Sequence, residues 1–282
     1  MSGADPTVAA DDRDGSAGRP ADHAPPADHP APRRRASAGS RLIGLLGEVL
    51  ITAGAILGLY VVWQVGWTSV EAAKESAAAL HAIEEEMPAP VVEEAPAAQV
   101  FGPEVAPPVV APDANGALGV LHVPLWGADY AAPILEGTTD AVLDTGGAAH
   151  YEETALPGEI GNASLAGHRL TRGNPFLRID ELQPGDPVIV ETAQAWLVYT
   201  VVSDQIVDPY QVEVIWPVPG QADAVPTQRL LTLTTCHPVT SRSHRWITHL
   251  TLSHWTPRDA GVPPELTGAV QAPTIRHNAG AA

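Results

Sequence analysis

Cys236 is the single cysteine of the 282-residue chain, and Arg245 follows it nine positions later. A thiolate attacks carbonyl carbon when a cationic or proton-accepting group stands beside it and a donor holds the negative charge that develops on the attacked oxygen. His168, in Ala166-Gly167-His168-Arg169, is the proton carrier best placed for this, at the end of an apolar run and next to a glycine whose missing side chain leaves the imidazole open to a groove. Arg245 is a fixed cation with several donors, suited to an oxyanion or to a substrate carbonyl. These are the residue types of a cysteine nucleophile with its acid–base partner and its electrostatic support.

The elements that must position them are strands. Gln228 to Cys236 alternates Leu and Thr, the period-2 pattern of a strand with one buried face. Pro238 removes a ladder donor and ends it, and the Ser- and Thr-rich residues 239–243 form a loop. Trp246, Thr248 and Leu250 alternate again in the next strand, so a hairpin-like return brings the thiol and the Arg245 guanidinium within a few ångströms. Gly161 to His168 is a third strand, ending on the histidine. Val188–Thr192 and Trp196–Val202 are strands, as is Leu118–Trp126, while 146–151 forms a turn and Phe176–Leu182 one helical turn. Many short, closely spaced strands with little helix indicate a mainly β barrel or sandwich.

The wording Thr-Leu-Thr-Thr-Cys-His-Pro at 232–238, with Ala-Gly-His-Arg at 166–169, resembles the active-site signature of a sortase, most closely class E, the housekeeping sortases of high-GC Gram-positive bacteria. The resemblance covers roughly residues 116–257. It implies an eight-stranded sortase-type β-barrel with short helices. It also implies roles: Cys236 attacks a Thr–Gly bond of a sorting signal of Leu-Ala-X-Thr-Gly or Leu-Pro-X-Thr-Gly type and forms a thioester. His168 then protonates the leaving amine and deprotonates the incoming one, and Arg245 stabilises substrate and intermediate. Thr235 is expected to assist in substrate binding, and Tyr130 falls where class E enzymes carry a tyrosine favouring Ala in the signal, a position equally suited to core packing. The implied partners are secreted proteins with carboxyl-terminal sorting signals and an amine of the peptidoglycan precursor. Gly-Gly-Ala-Ala-His at 146–150 departs from the Gly-Pro-Gly-His wording of relatives.

Rival residues and readings stand beside these. Arg242 competes with Arg245, which is favoured because it leads directly into the next strand. His237, His244 and His249 cluster near Cys236, but structural zinc usually shows paired short spacings that are absent, so no metal and no cofactor is expected. His122 and His150 are read as structural. A peptidoglycan L,D-transpeptidase is a second Cys/His enzyme, although its signature places the cysteine after Ser-His-Gly. A surface-anchored β-domain without activity is a third reading.

Composition sets the surroundings. A net charge of −18 supplies no basic patch for nucleic acid. Residues 1–41, poor in aliphatic and aromatic side chains, and the Pro/Ala/Gly-rich tail 258–282 bury too little to fold and are expected to be disordered. That tail holds no second apolar run, which weighs against relatives with a carboxyl-terminal anchor. From Leu42 to Trp63 the chain is apolar but for Glu48, and about 22 residues at about 1.5 Å each match a hydrocarbon core. Tyr60, Trp63 and Trp67 make an interfacial belt, so 42–67 is one uncleaved transmembrane helix. Arg33, Arg34, Arg35 and Arg41 before it place the amino terminus in the cytoplasm and the catalytic domain outside. Residues 68–115 are a stalk and linker: a helical rhythm of Val70, Ala73, Ala77, Leu80, Ile83 and Met87, then prolines from Pro88 that act as a spacer and leave the domain free to search.

Overall fold

A computed structural model describes residues 38–87, 100–109, 111–112 and 116–267. The expected amino-terminal tail up to residue 37, the proline-rich stretch 88–99 and the tail 268–282 lie outside the described residues.

Eight strands close into a barrel in the order β1-β2-β3-β4-β7-β8-β6-β5. They are β1 Ala117–His122, β2 Ala131–Glu136, β3 Ala148–His150, β4 Gly161–Ala166, β5 Pro187–Glu191, β6 Ala195–Val207, β7 Arg229–His237 and β8 His244–Pro257. Two neighbours run parallel, β2 with β3 and β4 with β7, and the other pairs are antiparallel. Closure removes every free sheet edge. The alternation legible in the sequence sets the faces: Leu231 and Leu233 of β7 join Leu121, Ile134, Leu165 and Leu250 in one buried core, together with Phe176 and Ile179 from the segment after β4. Gly146 to Tyr151, expected as a turn, contains β3, which extends the ladder between β2 and β4. The strand expected from Leu118 to Trp126 stops at His122 and continues as one helical turn, Pro124–Trp126.

The barrel is longer in sequence than composition suggests. Phe101 pairs backbone to backbone with Trp255 and stacks on its ring at 4.6 Å, while the Trp255 indole N–H donates to the carbonyl of Val105 at 3.0 Å. The Arg229 guanidinium reaches the carbonyl of Pro103. Residues 100–107 thus strap onto the strands instead of belonging to a free spacer. At the other end Arg258 is buried against Glu191, and Val262 and Leu266 cover Ile189 and Trp196, so the folded part runs past the expected boundary at 257.

The contacts divide the chain at Gly54 into two units. Among the described residues α1, Ala38–Glu86, is the helix long and apolar enough to cross a membrane. Its large apolar side chains from Leu42 to Trp63 are exposed in an unbroken row. The helix has no break at residue 67. Beyond it the expected rhythm holds in its second half only: Ile83 and Met87 are buried and Leu80 is partly so, whereas Val70, Ala73 and Ala77 face outward and Ala72 is buried instead. Ile83 and Met87 pack on Val120 of β1, so the stalk is seated on the barrel.

Candidate active site

β7 and β8 pair so that Cys236 and Arg245 are direct partners. Residues opposite one another in an antiparallel ladder project to the same face, so the predicted return of the chain past the thiol is present in the register. β4 lies on the other side of β7, and the ladder runs one residue beyond it: the Gly167 N–H donates to the Thr234 carbonyl at 3.1 Å. That extension sets His168 beside the end of β7. Cys236, a partly buried free thiol, and His168 open onto one cavity of about 300 Å³, whose wall also includes Thr171, Val239, Ser241 and Arg242.

Arg245 stands next to this cavity without lining it. Its guanidinium donates to the carbonyls of Arg242 at 3.1 Å and His244 at 3.0 Å, closing the β7–β8 turn. Arg242, the rival from the sequence, is on the wall. The structure therefore brings thiol and imidazole to one cavity, with Arg242 on its wall and Arg245 off it.

His168 is held from behind. Its Nε2–H donates to Asp144 Oδ1 at 3.0 Å, and Asp144 Oδ2 accepts from Arg172 at 3.2 Å. A carboxylate has no proton to give, so Nε2 carries the hydrogen. Nδ1 is then the nitrogen without a hydrogen-bond partner among the described residues. Asp144 follows the short helix α2, Asp140–Leu143, and its role is invisible in sequence because 24 residues separate it from His168.

A second group missed by sequence reasoning is Arg169. Its side chain is 1% exposed, ion-paired to Asp180 at 2.9 Å and laid over the Trp246 ring at 5.5 Å. Its Nη1 donates to His237 Nδ1 at 2.9 Å and approaches the Cys236 carbonyl at 3.4 Å. Arg169 thereby bolts the backbone of the nucleophile to the histidine strand. Burial and the Arg169 charge, with His244 beyond, lower the pKa of His237 below the usual histidine range, which matches an Nδ1 that accepts and argues for a neutral ring beside the thiol.

The remaining predicted residues prove to be clamps. The Thr235 hydroxyl, buried, donates to the Gly167 carbonyl at 2.6 Å and ties β7 to the chain just before His168. The Tyr130 hydroxyl donates to the Pro175 carbonyl at 2.6 Å, its ring meets Trp126 edge-on at 4.9 Å, and burial pushes its phenol well above the ordinary value. Tyr130 thus fastens the loop after His168 and is not on the cavity wall. Gly167 does not open the imidazole as expected. A Cβ there would stand 2.7 Å from Cδ2 of Phe176, so the glycine makes room for that ring. His150 is buried between Glu136 and the carbonyl of Ala155, and His122 pairs with Glu191 at 2.8 Å, both away from the cavity as read from the sequence.

Comparison with known proteins places this arrangement. The family model of the sortase domain matches residues 121–253. Sortase SrtE1 of Streptomyces coelicolor is 35% identical over 228 residues, 78% of this chain and 60% of that protein, so the chain spans somewhat less than two thirds of that relative. Sortase SrtE2 of the same organism is 31% identical over 221 residues, covering 76% of this chain and 83% of the relative. Among solved structures, the SrtA sortase from Actinomyces oris is 45% identical with a TM-score of 0.54, covering 61% of this chain and 97% of that one. Sortase E1 from Streptomyces coelicolor, solved with a tripeptide in its active site, is 38% identical with a TM-score of 0.50, covering 55% and 98%.

Proposed function

The chain belongs to the sortase family of cysteine transpeptidases, in its class E branch, and from that premise we propose that it cuts the Thr–Gly bond of a Leu-Ala-X-Thr-Gly or Leu-Pro-X-Thr-Gly-like signal and joins the freed threonine to a cell-wall amine. The single observation that carries the site assignment is the opening of Cys236 and His168 onto one cavity with Arg245 opposite Cys236 in register. Membership in the family removes the L,D-transpeptidase and non-enzymatic readings.

In this proposal the Cys236 thiolate adds to the threonine carbonyl carbon, and the resulting oxyanion is met by donors at the cavity rim. The intermediate collapses with loss of the glycine amine, which takes a proton from His168 Nδ1, and an acyl thioester remains on the sulfur. An amine of the peptidoglycan precursor then gives its proton to His168 and its electron pair to the carbonyl carbon, expelling the thiolate and closing the cycle. The Asp144 carboxylate supports the ring while it is cationic. Arg245 contributes after leaving two exposed turn carbonyls, hydrogen bonds whose net loss costs about 1 kcal/mol each.

The exposed apolar row of α1 supports anchoring by one span over residues 42–67, with the arginines before it on the cytoplasmic side and the barrel outside. Secreted proteins and the wall precursor are then on the side where the thiol lies. The test is the full chain in detergent with each signal peptide and an amine. Wild type is expected to yield the Thr-linked amide and Cys236→Ala none; absence of product with both peptides across a range of pH overturns the proposal.

A further inference from the structure

After residue 67 the buried or partly buried positions of α1 are Thr68, Ser69, Ala72, Ser76, Ala79, Leu80 and Ile83, followed by Met87 just past the helix end; Ala72, Ser76, Leu80, Ile83 and Met87, spaced by three or four, form one face. The far end of this stripe packs on β1. The near end carries Ala72, 1% exposed, seated between two glycines from different loops. A Cβ on Gly146 would stand 3.1 Å from the Ala72 carbonyl oxygen and 3.3 Å from its Cβ, and one on Gly173 would stand 3.7 Å from that Cβ. Both glycines have positive φ, 82° and 76°, so a side chain at either would strain the backbone and, at Gly146, press the helix off.

These glycines flank the groups that hold the imidazole. Gly146 lies two residues after Asp144, and Gly173 directly follows Arg172. Asp144 bonds His168 with one carboxylate oxygen and Arg172 with the other. All three side chains are about one third exposed, so water competes for the bonds unless the loops that carry them are fixed.

We propose that the juxtamembrane helix is a positioning element of the active site: Ala72, wedged on Gly146 and Gly173, fixes Asp144 and Arg172 and so keeps His168 with Nε2 tied and Nδ1 free for Cys236. The proposal rests on the assignment of His168 as the acid–base group. Docking of the segment next to the membrane and competence of the site are then one event, and a barrel with its helix unseated is folded but slow. Ala72 and Asp144 act through His168 and are positioning residues.

The experiment uses the full chain in detergent with Ala72→Leu, which overfills the niche, Ala72→Ser as the size-matched control, and Met87→Asp, which unseats the far end without touching the glycines. Ala72→Leu is expected to lower kcat for the signal peptide roughly tenfold with KM within about twofold. Asp144→Asn is expected to do the same, and Ala72→Leu added to Asp144→Asn is expected to cost little more. The proton on His168 Nε2, seen by NMR, should shift in Ala72→Leu and Met87→Asp and stay in place in Ala72→Ser. Wild-type kcat in both unseating variants, effects that multiply in the double variant, or an unmoved Nε2 proton overturns the proposal. The NMR signal decides it even if no peptide is turned over, a result that would count against the proposed function alone.

Discussion

The Arg169 guanidinium donates to His237 Nδ1 at 2.9 Å while lying over Trp246, so one buried cation joins the strand that carries His168 to the residue that follows the nucleophile. Replacement by Met keeps the volume but leaves Asp180 and His237 without their partner. Asp180 is half exposed and regains water, so the cost stays at about 2 kcal/mol, below that of a fully buried pair. Arg169→Met should lower the unfolding midpoint by roughly 4–8 °C and depress transfer, and Arg169→Lys should restore little, because an ammonium neither stacks nor forks. Calorimetry and peptide turnover check both.

Gly167 and Phe176 occupy adjoining space, with only 2.7 Å between a hypothetical Cβ and the ring. Gly167→Ala should destabilise the barrel by about 2 kcal/mol through overpacking and shift His168 with it. Phe176→Leu in the same chain should recover part of the loss. Denaturant midpoints of the single and double variants read the coupling; strictly additive losses would contradict the contact.

The strap at 100–107 makes a third expectation. Phe101→Ala removes the stack on Trp255 and should cost about 2 kcal/mol, lowering the unfolding midpoint by roughly 4–8 °C. An unchanged midpoint would return this segment to the status of a spacer.

Much of the barrel was legible because alternation is local. Leu231, Leu233 and the Thr residues between them declared β7, and Pro238 declared its end. The strand order was not legible, since the parallel neighbours β4 and β7 are 63 or more residues apart and nothing in either segment names the other. Phe101 hid in a Pro- and Ala-rich context without periodicity, and β3 is only three residues long. Within the site, Cys236 and His168 stood out through residue type and neighbouring motif. Arg169 and Asp144 did not, because a buried arginine looks like a surface one in sequence and a single carboxylate after a one-turn helix has no spacing to betray it. Gly167 was noticed for the wrong reason: sequence shows that a side chain is missing, not which neighbour fills the space.

His249 supplies a pH test. Its Nδ1–H donates to Thr232 Oγ1, whose own proton goes to Asn162, and its Nε2 accepts from Gln205, so the ring is neutral in the folded barrel. Burial lowers its pKa. The unfolded chain therefore binds the proton more readily, and this contribution to stability is complete above about pH 6.5 and lost as pH falls from there through the folded value. His249→Gln should show a smaller fall in unfolding midpoint between pH 7.5 and 5 than wild type. An equal fall would place the acid sensitivity elsewhere.

The claim on which the rest depends is that the sulfur of Cys236 carries the acyl group. Mass spectrometry of the full chain incubated with a Leu-Ala-X-Thr-Gly peptide and no amine measures it directly. The expected result is an adduct on Cys236 ending at the threonine, released by hydroxylamine as the hydroxamate and absent from Cys236→Ala. Transfer that persists in Cys236→Ala, or an adduct on any other residue, would contradict it.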